Sequence, residues 1–228
     1  MLVLCILMSV LSNPTMSNAK SKYKYAKTTV NIRDKPSTNC KVVGQVYWND
    51  RVKIIKKVDK NWYQIKYKKK KRYICSKYLK KKKSKYKTYS SPSNSKFKSY
   101  EDASLITNSQ DIAQGRLKNE YSLDGKTGVY MVGNRYCIAV GSYYTKDIGV
   151  KIDLVLRYKG KKHVLKCITA DSKADVDTVN NHRVHSDGSV VEFVVNTSAL
   201  PDKVRLMGDV SYAGKQFKGK IKKIKVYK

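Results

Sequence analysis

The chain has 228 residues and is strongly cationic, with 49 Lys+Arg against 17 Asp+Glu and a formal net charge of +32. A field of this sign repels cationic partners and concentrates polyanions, which leaves nucleic acid and the anionic polymers of a bacterial wall, such as teichoic acid and peptidoglycan, as candidates. Residues 20–99 hold 27 Lys+Arg and 3 Asp+Glu, whereas residues 100–228 hold 22 and 14. This uneven charge favours two small domains over one.

An apolar run opens the chain from Leu2 to Leu11. Its length is typical of the core of a signal peptide and too short to span a bilayer. The small residues Ser17 and Ala19 predict cleavage after Ala19, although the usual basic residues before the run are missing. The alternative interpretation is a buried N-terminal strand. A signal peptide over residues 1–19 predicts a secreted protein without a transmembrane segment, and export favours a wall polymer over nucleic acid.

Short apolar stretches separated by turn residues fill residues 28–80, in the blocks "TTVNIRDKPST", "KVVGQVYWNDRVKIIKKV", "NWYQIKY" and "RYICSKYL". Five short strands within about fifty residues predict a small β-barrel. In "NWYQIKY" the alternation puts Trp62 and Gln64 on one face and Tyr63 and Ile65 on the other.

These blocks follow in order the pattern of bacterial SH3-like domains, and residues 28–80 resemble that family. Trp62 and Tyr63 match its Trp-Tyr pair, and Tyr73 to Leu79 match its closing block. Asn61 and Arg72 replace two glycines of the pattern, and Asn tolerates the same turn conformations. The resemblance implies that a domain over residues 20–80 tethers an exported protein to the cell wall.

A basic run, "KKKKR", lies where a hairpin tip is expected between "NWYQIKY" and "RYICSKYL". Aromatic faces beside cations suit stacking on sugar rings while ammonium groups meet phosphates or carboxylates. The alternative is a solvated basic surface over tyrosines of the barrel core, which is the favoured interpretation for Tyr63. The predicted binding residues are Trp62, Tyr63, Lys68, Lys69, Lys70, Lys71 and Arg72.

Residues 81–99 are rich in Lys and Ser and have no apolar period, which predicts a flexible linker. The stretch "DASLITNSQDIAQGRL" then predicts a short helix with Ser109 as its N-cap, at the start of a second domain over residues 100–228. From Gly128 onward, about seven short strands punctuated by glycines predict a closed barrel. The fold class is therefore all-β.

The order of "IAVGSYY", "IGVKIDLVL", "ITADSKAD" and "DGSVVEFVVN" resembles a double-psi β-barrel of six or seven strands. It is most similar to the three-aspartate domain of lytic transglycosylases and related cell-wall proteins. The resemblance covers residues 128–210 and implies that Asp171 and Glu192 occupy two acidic positions of that pattern. The Asp-Thr-Gly of the enzyme pattern reads Asp171-Ser172-Lys173, and a His-x-x-His segment precedes the later glycine.

Asp171 follows the apolar strand "VLKCITA", and strict alternation predicts Leu165, Cys167, Thr169 and Asp171 on one face. Burial there raises the pKa of a carboxyl, which is what a general acid for a glycosidic oxygen requires. Glu192 is the candidate second carboxylate, and His182 and His185 are candidate supporting residues. The alternative is that Asp171 caps a turn and Glu192 pairs with a lysine.

A metal site would draw on His182 and His185, with Asp171, Asp175 or Asp177 as a third ligand. A spacing of three residues puts the two histidines on opposite faces of a strand. Asp175-x-Asp177 lacks the glycine and the terminal glutamate of a calcium loop. We therefore predict no metal and no cofactor.

Beyond residue 19 the chain has four cysteines, two in each half. An even count in an exported protein permits disulfides, and the natural pairs are Cys40–Cys75 and Cys137–Cys167; four free thiols are the alternative. Together these features predict a wall-associated monomer that binds peptidoglycan and anionic wall polymers, without specific nucleic-acid binding. Glycan cleavage like that of a lytic transglycosylase, non-enzymatic wall binding and polyanion binding by charge alone remain open.

Overall fold

The structure is a computed structural model that describes residues 23–93, 95, 97–106 and 112–228. The predicted signal peptide and Ser109 lie outside these residues. The chain divides into two compact units, residues 1–81 and residues 82–228. Both are built mainly from strands, with two short α-helices in the described part of the second unit, and this confirms the predicted all-β class.

The first unit is a seven-stranded antiparallel sheet with the strand order β3-β2-β6-β5-β4-β1-β7. Apolar side chains of β2, β4, β5 and β6 are buried, so Ile32, Ile54, Ile65 and Ile74 meet in a single core. The 3₁₀ turn Ser76–Tyr78 leads from the sixth strand to the seventh. The strands are β1 (Tyr23–Ala26), β2 (Val30–Arg33), β3 (Val42–Val46), β4 (Arg51–Lys57), β5 (Trp62–Tyr67), β6 (Lys70–Cys75) and β7 (Leu79–Lys80).

The second unit contains the remaining described strands and the two helices. Its strands are β8 (Tyr86–Ser90), β9 (Ser99–Asp102), β10 (Ser122–Asp124), β11 (Val129–Val132), β12 (Arg135–Val140), β13 (Lys151–Tyr158), β14 (Lys161–Ser172), β15 (Thr178–Val179), β16 (Val184–His185), β17 (Val191–Val195) and β18 (Lys220–Tyr227). Its helices are α1 (Ile112–Lys118) and α2 (Asp202–Met207). Helix α1 lies where the sequence predicts a short helix.

The main sheet of the second unit has nine strands, whereas the sequence predicts six or seven. Eight of them follow the order β10-β11-β17-β12-β14-β13-β18-β8, and β9 pairs with β17. The pairs β12–β14 and β9–β17 are parallel. Strands β15 and β16 form a separate hairpin. In the part of the chain that the structure describes, no pairing joins β10 to β8, so barrel closure and double-psi winding stay predictions.

Apolar side chains cover both faces of this sheet. The larger cluster contains Ile138, Leu154 and Phe193. The smaller cluster contains Cys137 and Val194, together with Leu117 of α1. Alternation along β12 sends Cys137 and Ile138 to opposite faces, so helix α1 packs on the face that carries the smaller cluster.

The predicted linker over residues 81–99 is wrong for Tyr86–Ser90, which forms β8 and pairs with β18. Tyr86 packs against Tyr227 with ring centroids 5.2 Å apart, and Tyr89 packs against Tyr143 and Tyr144. These tyrosine contacts attach a lysine-rich segment to the edge of a sheet, although its composition is that of a linker.

The predicted disulfides are absent, because Cys40, Cys75, Cys137 and Cys167 are all free thiols in the described chain. Tyr136 pairs with Cys167, and Cys137 pairs with Ile168. The two cysteines therefore point to opposite faces of the sheet, and Cys167 lies in the larger cluster while Cys137 lies in the smaller one. Side chains that point apart cannot form a bridge without backbone movement.

Among the described residues, no helix is long and apolar enough to cross a bilayer.

Candidate functional site

The first unit has a groove of about 720 Å³. Strand β2 and the loop that follows it form one side, and the ends of β5 and β6 that hold Trp62 and Cys75 form the other. Tyr78 and Lys77, from the 3₁₀ turn after β6, also line it. The size lies within the usual range of small-ligand pockets, about 300–1,000 Å³.

Aromatic and basic groups provide the walls of this groove. Trp62 is 7% exposed and Tyr78 is 39% exposed. The ammonium of Lys77 lies 4.7 Å from the ring centroid of Tyr78. Arg33 also lines the groove, and the described lining residues include no carboxylate. The groove can therefore stack a flat or sugar-like group and is unsuited to a cation.

The turn before Trp62 is held by Asp59, whose Oδ1 accepts hydrogen bonds from the backbone N–H groups of Asn61 (2.6 Å) and Trp62 (2.8 Å). Elsewhere in the lining, Nε2 of Gln45 on β3 donates to Oδ1 of its paired neighbour Asn31 on β2 (2.9 Å). Each of these bonds holds one part of the groove wall.

The predicted basic run lies away from this groove. Lys68 and Lys69 both have positive φ and form the two-residue turn between β5 and β6, which is typical of a type I′ hairpin. Trp62 pairs with Cys75 at the other end of that hairpin. Trp62 and Tyr67 are five positions apart along β5, a distance of roughly 17 Å. Of the predicted binding residues Trp62, Tyr63, Lys68, Lys69, Lys70, Lys71 and Arg72, only Trp62 lines the groove.

Tyr63 packs against the core of the first unit, and the ammonium of Lys24 lies 5.1 Å from its ring centroid. The groove residues that the sequence analysis missed are Asn31, Arg33, Lys77 and Tyr78. Tyr78 belongs to the same closing block, "RYICSKYL", on which the SH3-like resemblance rests. That block was the available signal.

In the second unit, Asp171 and Glu192 lie on either side of one residue. Ala139 of β12 pairs with Asp171 of β14 and with Glu192 of β17. Residues paired across neighbouring strands share a face, so the carboxyl side chains of Asp171 and Glu192 lie on the same face as Ala139. Glu101 of β9 pairs with Val194, two residues from Glu192, and lies on the same face.

The predicted face of Asp171 is wrong. The register moves from Ile138↔Thr169 to Ala139↔Asp171, so β14 has one extra residue at Ala170. Such a bulge reverses the alternation after it. Leu165 and Cys167 consequently lie in the larger cluster, whereas Asp171 lies on the other face, beneath α1.

Asp171 is partly buried, and its Oδ1 accepts a hydrogen bond from Nε2 of Gln114 in α1 (2.8 Å). Burial raises the pKa of Asp171 above its ordinary value, and the charge of Glu192 acts in the same direction. Hydrogen bonds from Ser172 and Gln114 oppose this shift. Burial, together with Asp171 and Glu192, also raises the pKa of Glu101. These carboxyls favour the protonated form more than exposed ones do.

Glu192 pairs with a lysine, as the alternative interpretation of the sequence had it. Nζ of Lys173 lies 2.6 Å from Oε1 of Glu192 and donates to Oγ of Ser189 (3.0 Å). The Lys173 side chain is 1% exposed and that of Glu192 is 16% exposed. A buried ammonium therefore stands where the resembled enzyme pattern has a glycine.

The two predicted supporting histidines have separate surroundings. Nδ1 of His182 lies 2.8 Å from Oγ1 of Thr178 and 3.5 Å from a carboxylate oxygen of Asp175. Nδ1 of His185 lies 3.1 Å from Asp187. These contacts place His182 with the turn of the β15–β16 hairpin.

One group of potential metal ligands is present among the described residues, formed by His185, Asp187 and Glu192 with donor atoms within 4.8 Å of one another. It differs from the set considered from the sequence, because only His185 is common to both. The ammonium of Lys173 already bonds to Glu192, and a lysine at that position is a competing cation for these carboxylates.

Comparison with known proteins identifies part of the chain. Residues 28–80 match the protein family described as Bacterial SH3 domain. No curated protein matches the chain. The family match lies within the first unit and includes Asn31, Arg33, Trp62 and Tyr78 of the groove. The chain therefore contains a bacterial SH3-like domain at residues 28–80, followed by a second β unit.

Proposed function

We propose that this protein is an exported, wall-associated monomer that binds peptidoglycan through the groove of its SH3-like domain. The main support for the proposal is the groove itself, which is lined by the aromatic residues Trp62 and Tyr78 and by the basic residues Arg33 and Lys77. Bacterial SH3 domains commonly bind the cell wall. The net charge of +32 supports an additional, less specific attraction to anionic wall polymers.

Tyr78 is the residue that tests the groove most directly, because it is exposed and lies outside the buried core. The chain offers a matched control in Tyr212 of the second unit. Tyr212 is 41% exposed and has the ammonium of Lys203 4.8 Å from its ring centroid, much as Tyr78 has Lys77. Both Tyr→Ala variants remove the same exposed aromatic ring.

The experiment is co-sedimentation with purified wall sacculi at about 0.5 M salt, where the Debye length is roughly 4 Å and diffuse attraction is screened. Wild type and Tyr212→Ala are expected to sediment with the sacculi, and Tyr78→Ala is expected to remain in solution. Equal sedimentation of wild type and Tyr78→Ala would overturn the groove assignment. If wild type does not bind at this salt concentration, the interaction with the wall depends on charge alone.

A second candidate function is glycan cleavage by the second unit, with Asp171 as the acid. The raised pKa of Asp171 and its position opposite Glu192 across Ala139 favour this role. An acid of this kind protonates the glycosidic oxygen, and in lytic transglycosylase-like cleavage a hydroxyl of the sugar takes the place of water. Gln114 covers the carboxyl, so α1 has to move for a sugar chain to reach it.

The test is release of soluble muropeptides from sacculi by wild type and by Asp171→Asn. Release by wild type that is lost in Asp171→Asn supports the enzyme. If wild type releases nothing, the second unit is not a glycan-cleaving enzyme, and binding alone remains. The Tyr78→Ala variant separates the two functions, because it weakens binding while Asp171 is unchanged.

A further inference from the structure

A second cavity, of about 310 Å³, lies within the second unit. It is bordered by the end of β13, the hairpin turn that follows, the start of β18 and the residues before β9. Four basic side chains line it, and its described lining includes no carboxylate. These four are Lys98, Arg157, Lys159 and Lys220. So many cations around one small cavity indicate an anionic ligand.

Lys98 is the buried member of this set, with only 4% of its surface exposed. Its Nζ donates to the carbonyl oxygen of Gly219 (3.0 Å), which uses one of the three N–H bonds of the ammonium. Burial lowers the pKa of Lys98, and the charge of Asp209 acts in the opposite direction. The Asp209 carboxylate accepts hydrogen bonds from the backbone N–H groups of Ser211 (2.8 Å) and Lys98 (3.5 Å). An anion in the cavity would further stabilise the charged form of Lys98.

Gly219 connects Lys98 to the strand that carries Arg157. Its φ is +100°, and a Cβ at this position would lie 2.5 Å from the carbonyl oxygen of Arg157. Only glycine permits both this conformation and this close approach. Gly219 therefore contacts both the Lys98 ammonium, through its carbonyl oxygen, and the backbone of Arg157, and these contacts hold the two basic residues near each other.

Arg157 and Lys220 face each other as paired residues on β13 and β18. Arg157 also pairs with Lys162 on β14, which makes a row of three cations across three strands about 4.8 Å apart. Like charges directly opposite one another repel. Lys159 lies beside Tyr158, whose ring centroid is 5.7 Å from the ammonium of Lys159 and 5.8 Å from that of Lys218. A multiply charged anion would relieve this repulsion.

We propose that this cavity binds a phosphate group. The guanidinium of Arg157 supplies paired donors that match phosphate geometry, and Lys98, Lys159, Lys220 and the Ser211 hydroxyl supply further donors. A phosphate has three or more acceptor oxygens and uses more of these donors than a carboxylate does. The inference does not rest on the groove of the SH3-like domain, because the two cavities lie in different units.

The experiment is a titration of the full chain with inorganic phosphate at constant ionic strength, followed by ¹H–¹⁵N NMR. Saturable shifts are expected for the backbone amides of Lys98, Lys159 and Gly219. The double variant Arg157→Gln/Lys220→Gln is expected to bind about tenfold more weakly or worse, as hydrogen bonds to charged groups require. Both residues are exposed, so the fold is expected to tolerate the changes, and retained amide dispersion verifies this.

The matched control is Lys126→Gln/Lys223→Gln, which also removes two positive charges, but from exposed residues outside the cavity. Phosphate binding is expected to be unchanged in this variant. The proposal is overturned if the shifts do not saturate, or if both double variants weaken binding equally.

A parallel titration with polyphosphate distinguishes the two sources of a phosphate group, a polymer and a free ion. If polyphosphate binds more tightly per phosphate group than inorganic phosphate does, the natural ligand is a phosphate polymer. If the two affinities are equal, the ligand is a single phosphate group. Tyr78→Ala is expected to leave both titrations unchanged, so failure here is distinguishable from failure of the groove.

Discussion

The side-chain amide of Gln114 donates a 2.8 Å hydrogen bond to the carboxyl of Asp171, and thereby connects helix α1 to the end of strand β14. This bond favours the charged form of Asp171 and opposes the effect of burial on its pKa. Gln114 is itself buried. The protonation state of Asp171 therefore depends on the position of a seven-residue helix.

The first prediction concerns this bond. Gln114→Leu removes the donor and keeps the carboxyl covered, so the pKa of Asp171 is expected to rise further above its ordinary value. The measurement is a carboxyl ¹³C NMR titration. Gln216→Leu is the control, because Gln216 donates instead to the Tyr136 hydroxyl (3.1 Å). An unchanged or lower pKa for Asp171 in Gln114→Leu would show that the bond has no such effect.

The second prediction is a pH dependence of stability. The pKa of Asp171 is raised in the folded protein, so between its ordinary value and the raised value the native state holds more protons than the unfolded state. The contribution of Asp171 to stability is therefore present at low pH and is lost as the pH rises through the raised pKa. Asp171→Asn removes this dependence. The free energy of unfolding of Asp171→Asn, relative to that of wild type, is therefore expected to be higher at pH 7 than at pH 4.

Asp102 is the control of opposite sign. Hydrogen bonds from Thr197 and Ser104 lower its pKa, so its contribution is present at neutral pH and is lost as the pH falls through that lowered value. Asp102→Asn is therefore expected to be more destabilising at pH 7 than in acid. Urea unfolding of the three proteins from pH 7 down to well below the ordinary pKa of an aspartate measures both effects. Parallel pH profiles for the two variants would contradict the assignment.

The third prediction concerns Lys173 and Glu192. Lys173→Met leaves the largely buried Glu192 carboxylate without its cation, and is expected to lower the free energy of unfolding by about 3 kcal/mol. The double variant Lys173→Met/Glu192→Gln is expected to recover part of this loss. Asp202→Asn, which breaks the exposed pair with Arg205, is expected to have little effect. Denaturant titration is the measurement, and equal losses for the buried and exposed pairs would refute the prediction.

The fourth prediction tests the contact between Gly141 and the β15–β16 hairpin. A Cβ at Gly141 would lie 2.0 Å from the carbonyl oxygen of His182. Gly141→Ala is therefore expected to displace the hairpin and to lower stability by about 2 kcal/mol. At Gly125 an added Cβ would meet no atom within 4 Å, so Gly125→Ala is expected to change stability by less than about 0.5 kcal/mol. The measurement is thermal unfolding of Gly141→Ala and Gly125→Ala. Similar melting temperatures for the two variants would contradict the contact between Gly141 and the hairpin.

The fifth prediction concerns the thiols. Unreduced protein that lacks residues 1–19 is expected to show four reactive thiols in denaturant, because its four cysteines are free in the structure. In the native state, Cys40 and Cys75 are expected to react before Cys137 and Cys167. Burial raises the pKa of both buried thiols and limits reagent access. Two missing thiols under denaturing conditions would instead indicate a disulfide.

Local pattern was sufficient for much of the fold. Period-two alternation in "NWYQIKY" placed Trp62 and Tyr63 on opposite faces, and Trp62 lines the groove while Tyr63 packs on the core. The same reasoning failed for Asp171, because a bulge at Ala170 inserts one residue and reverses the face. No residue in "VLKCITADS" signals that bulge.

The sequence by itself determined the all-β class, the SH3-like domain at residues 28–80 and the strong positive charge, because alternation, turn residues and composition are local properties. Only the tertiary structure decided which residues meet. It brought Asp171 and Glu192 to either side of Ala139, separated Trp62 from the lysine run, and placed Lys98 beside Arg157 and Lys220. These relationships depend on strand register and on contacts between distant segments, which no local pattern encodes.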